Sequence, residues 1–326
     1  MLQIFKNYSP YAVMMLFIAT ILLKLGVILH PEPIFVASQS QIIWQKIADF
    51  LHSILGGSSF LITFFAVLNL FGQSIFLNKI ANDHHLFPKS TYLPAITYLM
   101  VTSLFKEWNY LSGALINNWL VLAILSGVLK LYATEDARKH IFNIGCFISL
   151  SSFIIFPSFL YIILLLIALA VLRPFKVSEW MVGLLGLLTP YYFLVGILYL
   201  TDSLPLLQKV LAIDFSLTKP TSNIEVIATA AVFFVIILVI GTFYLNYYMD
   251  RMLFQYKKWW WVTLCCFIIS IVIGMFTLAK SYNQWMMILP VASLMIANTW
   301  FEERKNWFKL VCFYLFIAII IFTQWY

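Results

Sequence analysis

The sequence predicts an all-α fold, a polytopic transmembrane bundle of about eleven spans with one amphipathic helix on the outer surface. Three observations carry that expectation. Apolar residues fill 63% of the 326 positions and charged residues only 10%, against about 25% charged in an ordinary soluble domain. Apolar runs suited to crossing roughly 30 Å of hydrocarbon recur from end to end. The basic residues between the runs alternate in density from loop to loop, the pattern that orients membrane chains.

The first run, 10–29, follows Lys6. Its length of about twenty residues exceeds the 7–15 of a signal-peptide core, so an uncleaved helix is expected although Val36-Ala37-Ser38 loosely resembles a cleavage site. In 39–55 the apolar residues Ile43, Ile47, Phe50 and Ile54 recur at helical spacing opposite Gln41, Gln45, Lys46, Asp49 and His52, which predicts an interfacial helix. The next runs are 58–76, 91–105 with Pro94, and 111–131 with Asn117 and Asn118. Residues 141–172 form either one overlong helix or two short ones, 141–155 and 158–172, hinged at Phe156-Pro157-Ser158, where proline cannot sustain the helical ladder. After 180–200, with Pro190, the loop contains a weaker amphipathic stretch, Leu204 to Phe215. The runs 224–248, 259–279, 285–300 and 308–326 complete the set. Lys257-Lys258-Trp259-Trp260-Trp261 and Trp325-Tyr326 suit interfacial anchoring at opposite surfaces.

Charge favours the hinged reading of 141–172. With two passes there, fourteen basic residues fall on one side: Lys6, Lys79, Lys89, Lys130, Arg138, Lys139, Arg173, Lys176, Arg251, Lys257, Lys258, Arg304, Lys305 and Lys309. Five fall on the other, namely Lys46, Lys106, Lys209, Lys219 and Lys280. The positive-inside rule then predicts a bacterial inner-membrane protein with a cytoplasmic N-terminus and a periplasmic C-terminus. Several runs measure only about 22–24 Å at 1.5 Å per residue, so these short helices are expected beside a cavity or a thinned bilayer. Residues 1–326 are expected to form a single integral membrane domain, without an internal repeat. The formal charge of +7 records orientation and implies no nucleic acid.

The outer acids are Glu32, Asp49, Glu107, Asp202, Asp214 and Glu225. Glu32 is the candidate general base, because Pro31 and Pro33 stiffen the segment that presents it. "HPEP" also serves simply to end a helix. Lys24 lies about five residues below the outer end of the first run, where it either snorkels to the interface, pairs with an acid, or binds a lipid phosphate. Lys46, Asp49 and His30 complete the candidate substrate-binding set. The amides Asn69, Gln73, Asn117, Asn118, Asn246 and Asn298 fit interhelical hydrogen bonds. His30 and His52 fall outside and His84, His85 and His140 inside, which disfavours a four-histidine iron centre. Cys146, Cys265, Cys266 and Cys312 all sit in apolar runs, so neither a disulfide framework nor a metal site is expected. No cofactor is expected.

The stretches "NKIANDHHLFPKSTYLPAITYLM", "LSGALINNWLVLAIL", "KVSEWMVGLLGLLTPYYFL" and "LPVASLMIANTWFEERKN" resemble an uncharacterised family of polytopic bacterial inner-membrane proteins. A looser resemblance is architectural. A first span, an outer carboxylate near the start of the next loop, a surface helix and several short spans are similar to membrane glycosyltransferases of the C-type fold. That resemblance implies a polyprenyl-phosphate donor, Glu32 as base, 39–55 as a jaw over the acceptor site, and Lys24 or Lys46 as phosphate partner. The chain departs from the pattern in lacking a paired-acid motif after the first span and in placing all four arginines inside.

The expected function is a membrane-embedded transferase acting on a lipid-linked donor at the outer face of the inner membrane. The alternatives are a non-catalytic subunit or scaffold bound to an envelope-assembly complex, and a small-solute or lipid transporter. The sequence names no sugar, lipid, solute or partner.

Overall fold

The computed structural model describes residues 2–36, 42–133, 136–211, 224–277, 282–301 and 306–325. Its helices, in chain order, are α1 Leu2–Lys6, α2 Pro10–Leu23, α3 Leu25–Leu29, α4 Ile42–Ile54, α5 Ser59–Asp83, α6 Leu93–Thr102, α7 Gly113–Lys130, α8 Arg138–Ile154, α9 Tyr161–Leu172, α10 Val177–Leu200, α11 Leu206–Val210, α12 Ile224–Met249, α13 Phe254–Met275, α14 Leu289–Phe301 and α15 Asn306–Trp325. Short 3-10 segments, Lys106–Asn109, Phe156–Leu160 and Tyr282–Ile288, precede α7, α9 and α14. Among the described residues no strand forms. A single parallel bridge pairs Phe35 with Ser112.

Five helices are long and apolar enough to cross a bilayer: Ser59–Asp83, Gly113–Lys130, Val177–Leu200, Glu225–Met249 and Phe254–Met275. Two of them, α10 and α12, turn large apolar side chains outward, among them Tyr192, Leu200 and Phe243. So much exposed apolar surface is unfavourable in water and suits a membrane-embedded chain. Without a hydrophobic drive between helices in lipid, close approach rests on small residues. A Cβ on Gly145 of α8 would lie 2.7 Å from the Gly183 carbonyl oxygen and 2.8 Å from the Leu187 nitrogen of α10. Only glycine permits that backbone-to-backbone contact.

Two short helices, α6 and α14, are the most enclosed. Every residue of α6 is buried, as is every residue of α14 from Leu289 to Trp300. Both open on Leu-Pro, because proline is tolerated in a first helical turn, where its missing N–H has no partner to lose. They pack side by side. Their ten and thirteen residues are short because protein, not lipid, surrounds them.

Contacts sort the helix ends into two poles. At one, Tyr92 N donates to Phe5 O at 2.8 Å, Trp260 Nε1 donates to Leu86 O at 3.0 Å, and Phe87 packs on Trp260 and Phe301. Lys6, Lys79, Lys89, Lys130, Lys257 and Lys258 lie on the segments that meet there. At the other, Phe35 N donates to Leu111 O at 2.9 Å and Trp108 Nε1 to Tyr282 O at 2.9 Å. Lys46 and Lys106 belong to that end. Because α6 runs from the first pole to the second and α14 returns, the two are antiparallel.

The stretch 141–172 is two helices. Ile155 is extended, at φ −137° and ψ 100°, and the Pro157-containing 3-10 turn leads into α9. Arg173, just after α9, donates through Nη1 to Leu131 O at 2.9 Å, so α9 ends beside the end of α7. Arg173 also forks onto Glu179 at 2.9 and 3.1 Å, with both side chains almost wholly buried.

Two expectations change. The first run is not continuous, since Lys24 interrupts it at φ −112° and ψ 13° and leaves α3 as a separate turn. The stretch 39–55 contains the helix Ile42–Ile54, shorter than expected, with residues 39–41 outside the described set. Lys219, Lys280, Arg304, Lys305, Asp214 and Tyr326 also lie outside it.

Candidate functional site

The segment Lys106-Glu107-Trp108-Asn109-Tyr110 organises the second pole. Trp108 donates to Tyr282 O, and Tyr282 N in turn donates to the Glu107 carboxylate at 3.1 Å. Phe105 packs against both Trp108 and Tyr282. This locks a half-buried carboxylate between α6 and α7.

Glu32 lies on the segment that follows α3. Its backbone N–H donates to Thr63 Oγ1 at 3.2 Å, and the Thr63 hydroxyl donates back to its carbonyl at 3.4 Å. Three residues on, Phe35 pairs with Leu111 and accepts from Trp44 Nε1 at 3.3 Å. Both flanks of the proline-bounded segment are therefore fixed, while the Glu32 side chain is exposed. Tyr110 senses both carboxylates. Its phenol is pushed above the usual tyrosine range by burial first, and further by the negative charges of Glu32 and Glu107.

Lys24 behaves differently from expectation. It neither snorkels nor meets an acid. Its side chain is 0% exposed, with Nζ donating to Thr102 Oγ1 and Ser103 Oγ at 3.1 Å each and to Asn109 Oδ1. All three ammonium protons are used, and the charge lies at the C-terminal end of α6, where the helix dipole is negative. Gln324 closes the cage by donating to Leu23 O at 2.6 Å and Ser103 O at 3.4 Å. Enclosed in this way, Lys24 does not present its charge to a phosphate. It holds Asn109, and through it the segment that carries Glu107 and Tyr110.

The remaining candidates do not converge on Glu32 by hydrogen bond or ion pair. Lys46 and Asp49 are exposed on α4, and His30 is exposed at the end of α3. The anchor of α4 is its buried Trp44, about 200° around the helix from Lys46, so Lys46 points away from the attachment. Among the described residues no group of three or more His, Cys, Asp or Glu is placed to hold a metal.

An apolar crevice of about 400 Å³ runs along α6 between α2–α3 and α15, floored by Ile96 and Met100 and capped by Gln324. Deeper within the bundle lies a chain of neutral polar groups. Tyr98 donates to Gln73 Oε1 at 2.7 Å, and Gln73 Nε2 donates to Leu115 O at 2.7 Å. Asn118 Nδ2 donates to Met286 O at 3.2 Å, and Asn117 Nδ2 approaches Met287 Sδ at 3.0 Å. In the same place Asn117 Oδ1, Asn118 Oδ1, both amide atoms of Asn283 and Gln284 Oε1 are buried without a hydrogen-bond partner. Each such orphan costs about 1–3 kcal/mol.

Sequence reasoning singled out Glu32 and Lys24 as candidates but not the bond from Lys24 to Asn109 or the hold of Glu107 on Tyr282. The one usable signal was "KEWNY", an unusually polar break between two apolar runs. No protein-family model, no curated protein and no solved structure matches this chain.

Proposed function

We propose that this chain is a membrane-embedded transferase of the bacterial inner membrane, acting at the outer face on a polyprenyl-phosphate-type donor. The observation that carries the reading is that Glu32 and Glu107 lie on segments tied to one another at the pole poor in basic residues, through the pairing of Phe35 with Leu111. In this scheme Glu32 takes the proton of an acceptor hydroxyl, whose oxygen attacks the anomeric carbon. The bond from that carbon to the phosphate oxygen breaks, and the polyprenyl phosphate leaves with the electron pair. Glu107 keeps the site acidic and tied to Tyr282. The apolar crevice beside α6 suits the donor's hydrocarbon chain. In this reading α4 lies amphipathically on the outer surface.

The matching topology has eleven spans, a cytoplasmic N-terminus and a periplasmic C-terminus, and is supported by the crowding of lysines at one pole. It agrees with the proposed kinship to polytopic inner-membrane proteins and C-type-fold glycosyltransferases. A second reading, a small-solute transporter, draws on the antiparallel, wholly enclosed pair α6 and α14, since discontinuous helices of opposite direction commonly surround a transport site.

Replacing Glu32 with Gln keeps its shape and removes the base. The transferase reading expects lipid-linked intermediates to accumulate and envelope glycans to lose a sugar, with Glu107→Gln giving a partial version. Unchanged glycans in a stably folded Glu32→Gln protein would reject it, and solute uptake abolished by changes along α6 and α14 would favour the transporter.

A further inference from the structure

We propose that a pocket at the lysine-rich pole, between the end of α5 and the turn joining α12 to α13, binds the phosphate headgroup of an anionic phospholipid. The cavity measures about 240 Å³. His85, Arg251 and Tyr256 supply its polar lining, and Phe87, Pro88 and Leu253 most of the rest. No aspartate or glutamate lines it. It lies at the opposite pole from Glu32 and shares no residue with that site.

His85 occupies a position that ordinarily goes to glycine. Leu86 N donates to Ala81 O at 3.0 Å and His85 N to Asn82 O at 3.1 Å, the paired bonds that close a helix through one left-handed residue. That residue is His85, at φ 46°, where a glycine would meet no steric cost. Its imidazole packs near the Tyr256 ring, 6.1 Å between centroids. Arg251 follows the last turn of α12. Its guanidinium carbon lies 4.7 Å from the centre of the Tyr247 ring, and Nη2 donates to the Tyr247 hydroxyl at 2.8 Å. Tyr247 thereby fixes the fork while using one of its five N–H groups. Among the described residues no carboxylate pairs with Arg251, the adjacent Asp250 included. Its other donors are open to a phosphate, which a guanidinium grips through two parallel hydrogen bonds.

The surroundings select a lipid over a dissolved phosphate. All three helices that meet at the pocket are long and apolar enough to cross a bilayer, so a cavity at their ends lies level with the headgroups. Leu253 and its neighbour Phe254 are 69% and 72% exposed, and Lys258 Nζ lies 5.1 Å from the Phe254 ring. Exposed apolar side chains beside a lysine, with the exposed Trp261 one turn beyond it, belong at a membrane interface. The cavity is also smaller than the roughly 300–1,000 Å³ of sites that enclose a whole small molecule, which suits a headgroup whose acyl chains stay in the bilayer. Basic pockets between spans at a membrane face take acidic headgroups in other membrane proteins.

The test titrates the full chain in detergent micelles with fluorescent phosphatidylglycerol. Saturable binding is expected, displaced by unlabelled phosphatidylglycerol and not by phosphatidylcholine. Arg251→Gln is expected to weaken it about tenfold, and Arg251→Lys, which keeps the charge and loses the fork, by less. His85→Asn removes the imidazole yet tolerates the left-handed backbone, and should also weaken binding. Lys139→Gln removes a charge that does not line the pocket and should leave affinity unchanged. His85, Lys139 and Arg251 are all exposed, so these substitutions leave the core intact. Unchanged affinity in Arg251→Gln would overturn the proposal, as would an equal loss in Lys139→Gln, which would mean attraction to surface charge in general. Equal displacement by phosphatidylcholine would overturn it too. Displacement by inorganic phosphate would assign the pocket to a soluble anion and reject the lipid. Binding is read directly and does not depend on sugar transfer, so failure of the transferase reading leaves this result distinguishable.

Discussion

The Lys24 ammonium donates to the Asn109 amide oxygen across 85 positions of sequence, joining the break in the first long helix to the turn before α7. Lys24 is the C-cap of α2 and Asn109 ends a 3-10 turn, so the bond ties together two places where regular backbone has stopped.

Lys24→Met keeps most of the side-chain volume and removes the three donors. Thr102 and Ser103 retain their hydroxyl bonds to Leu99 O, so the loss falls on Asn109 Oδ1. A destabilisation of about 1–3 kcal/mol is expected. Hydrogen exchange at 106–110 should accelerate, whereas α8 and α10 should exchange as before.

Glu179→Gln leaves the Arg173 guanidinium buried without its carboxylate. Removing one partner of a buried pair costs about 3–5 kcal/mol, while replacing both by apolar groups is often close to neutral. The double variant Arg173→Met, Glu179→Met should therefore unfold in detergent at a temperature nearer the native protein than Glu179→Gln does.

His84, just beyond α5, packs edge-on against Trp259 at 5.1 Å. Burial, the largest influence, together with Lys130 and His85, lowers its pKa to about 4 against the opposing effect of Asp83. The unfolded imidazole titrates near 6.5, so between about pH 6.5 and pH 4 the unfolded chain takes up a proton that the folded chain refuses. Stability should fall as pH is lowered through that window. His84→Phe should flatten this part of the profile of unfolding midpoint against pH.

Reporters fused to the two ends test the topology. The proposed odd number of crossings expects a cytoplasmic reporter to be active only at the N-terminus and a periplasmic one only at the C-terminus. Activity of the same reporter at both ends would reverse the assignment of half the loops and remove Glu32 from the outer face.

The helical segments were largely legible in the sequence because lipid imposes a length and a polarity on each segment separately, information that survives without knowing any neighbour. Pro157 also marked its hinge correctly, since a missing N–H is a local fact. Contacts between segments were not legible. Lys24 in isolation resembles any lysine near a membrane surface, and only the fold brings Thr102, Ser103 and Asn109 around it. The segments of Glu107 and Glu32 likewise carry no mutual signal, because they reach the same pole only through Phe35 pairing with Leu111 and Thr63 gripping the Glu32 backbone.

The full enclosure of α6 by partners that include α14 and α15 has a consequence for how the protein is made. A ribosome completes residues 93–102 nearly two hundred codons before it reaches 289–301. During that interval the nascent α6 is too short to sit stably in lipid by itself and lacks part of its eventual wall. The insertion machinery, or the already synthesised α5, must shelter it until α14 and α15 have been made, and their arrival commits the chain to its mature form.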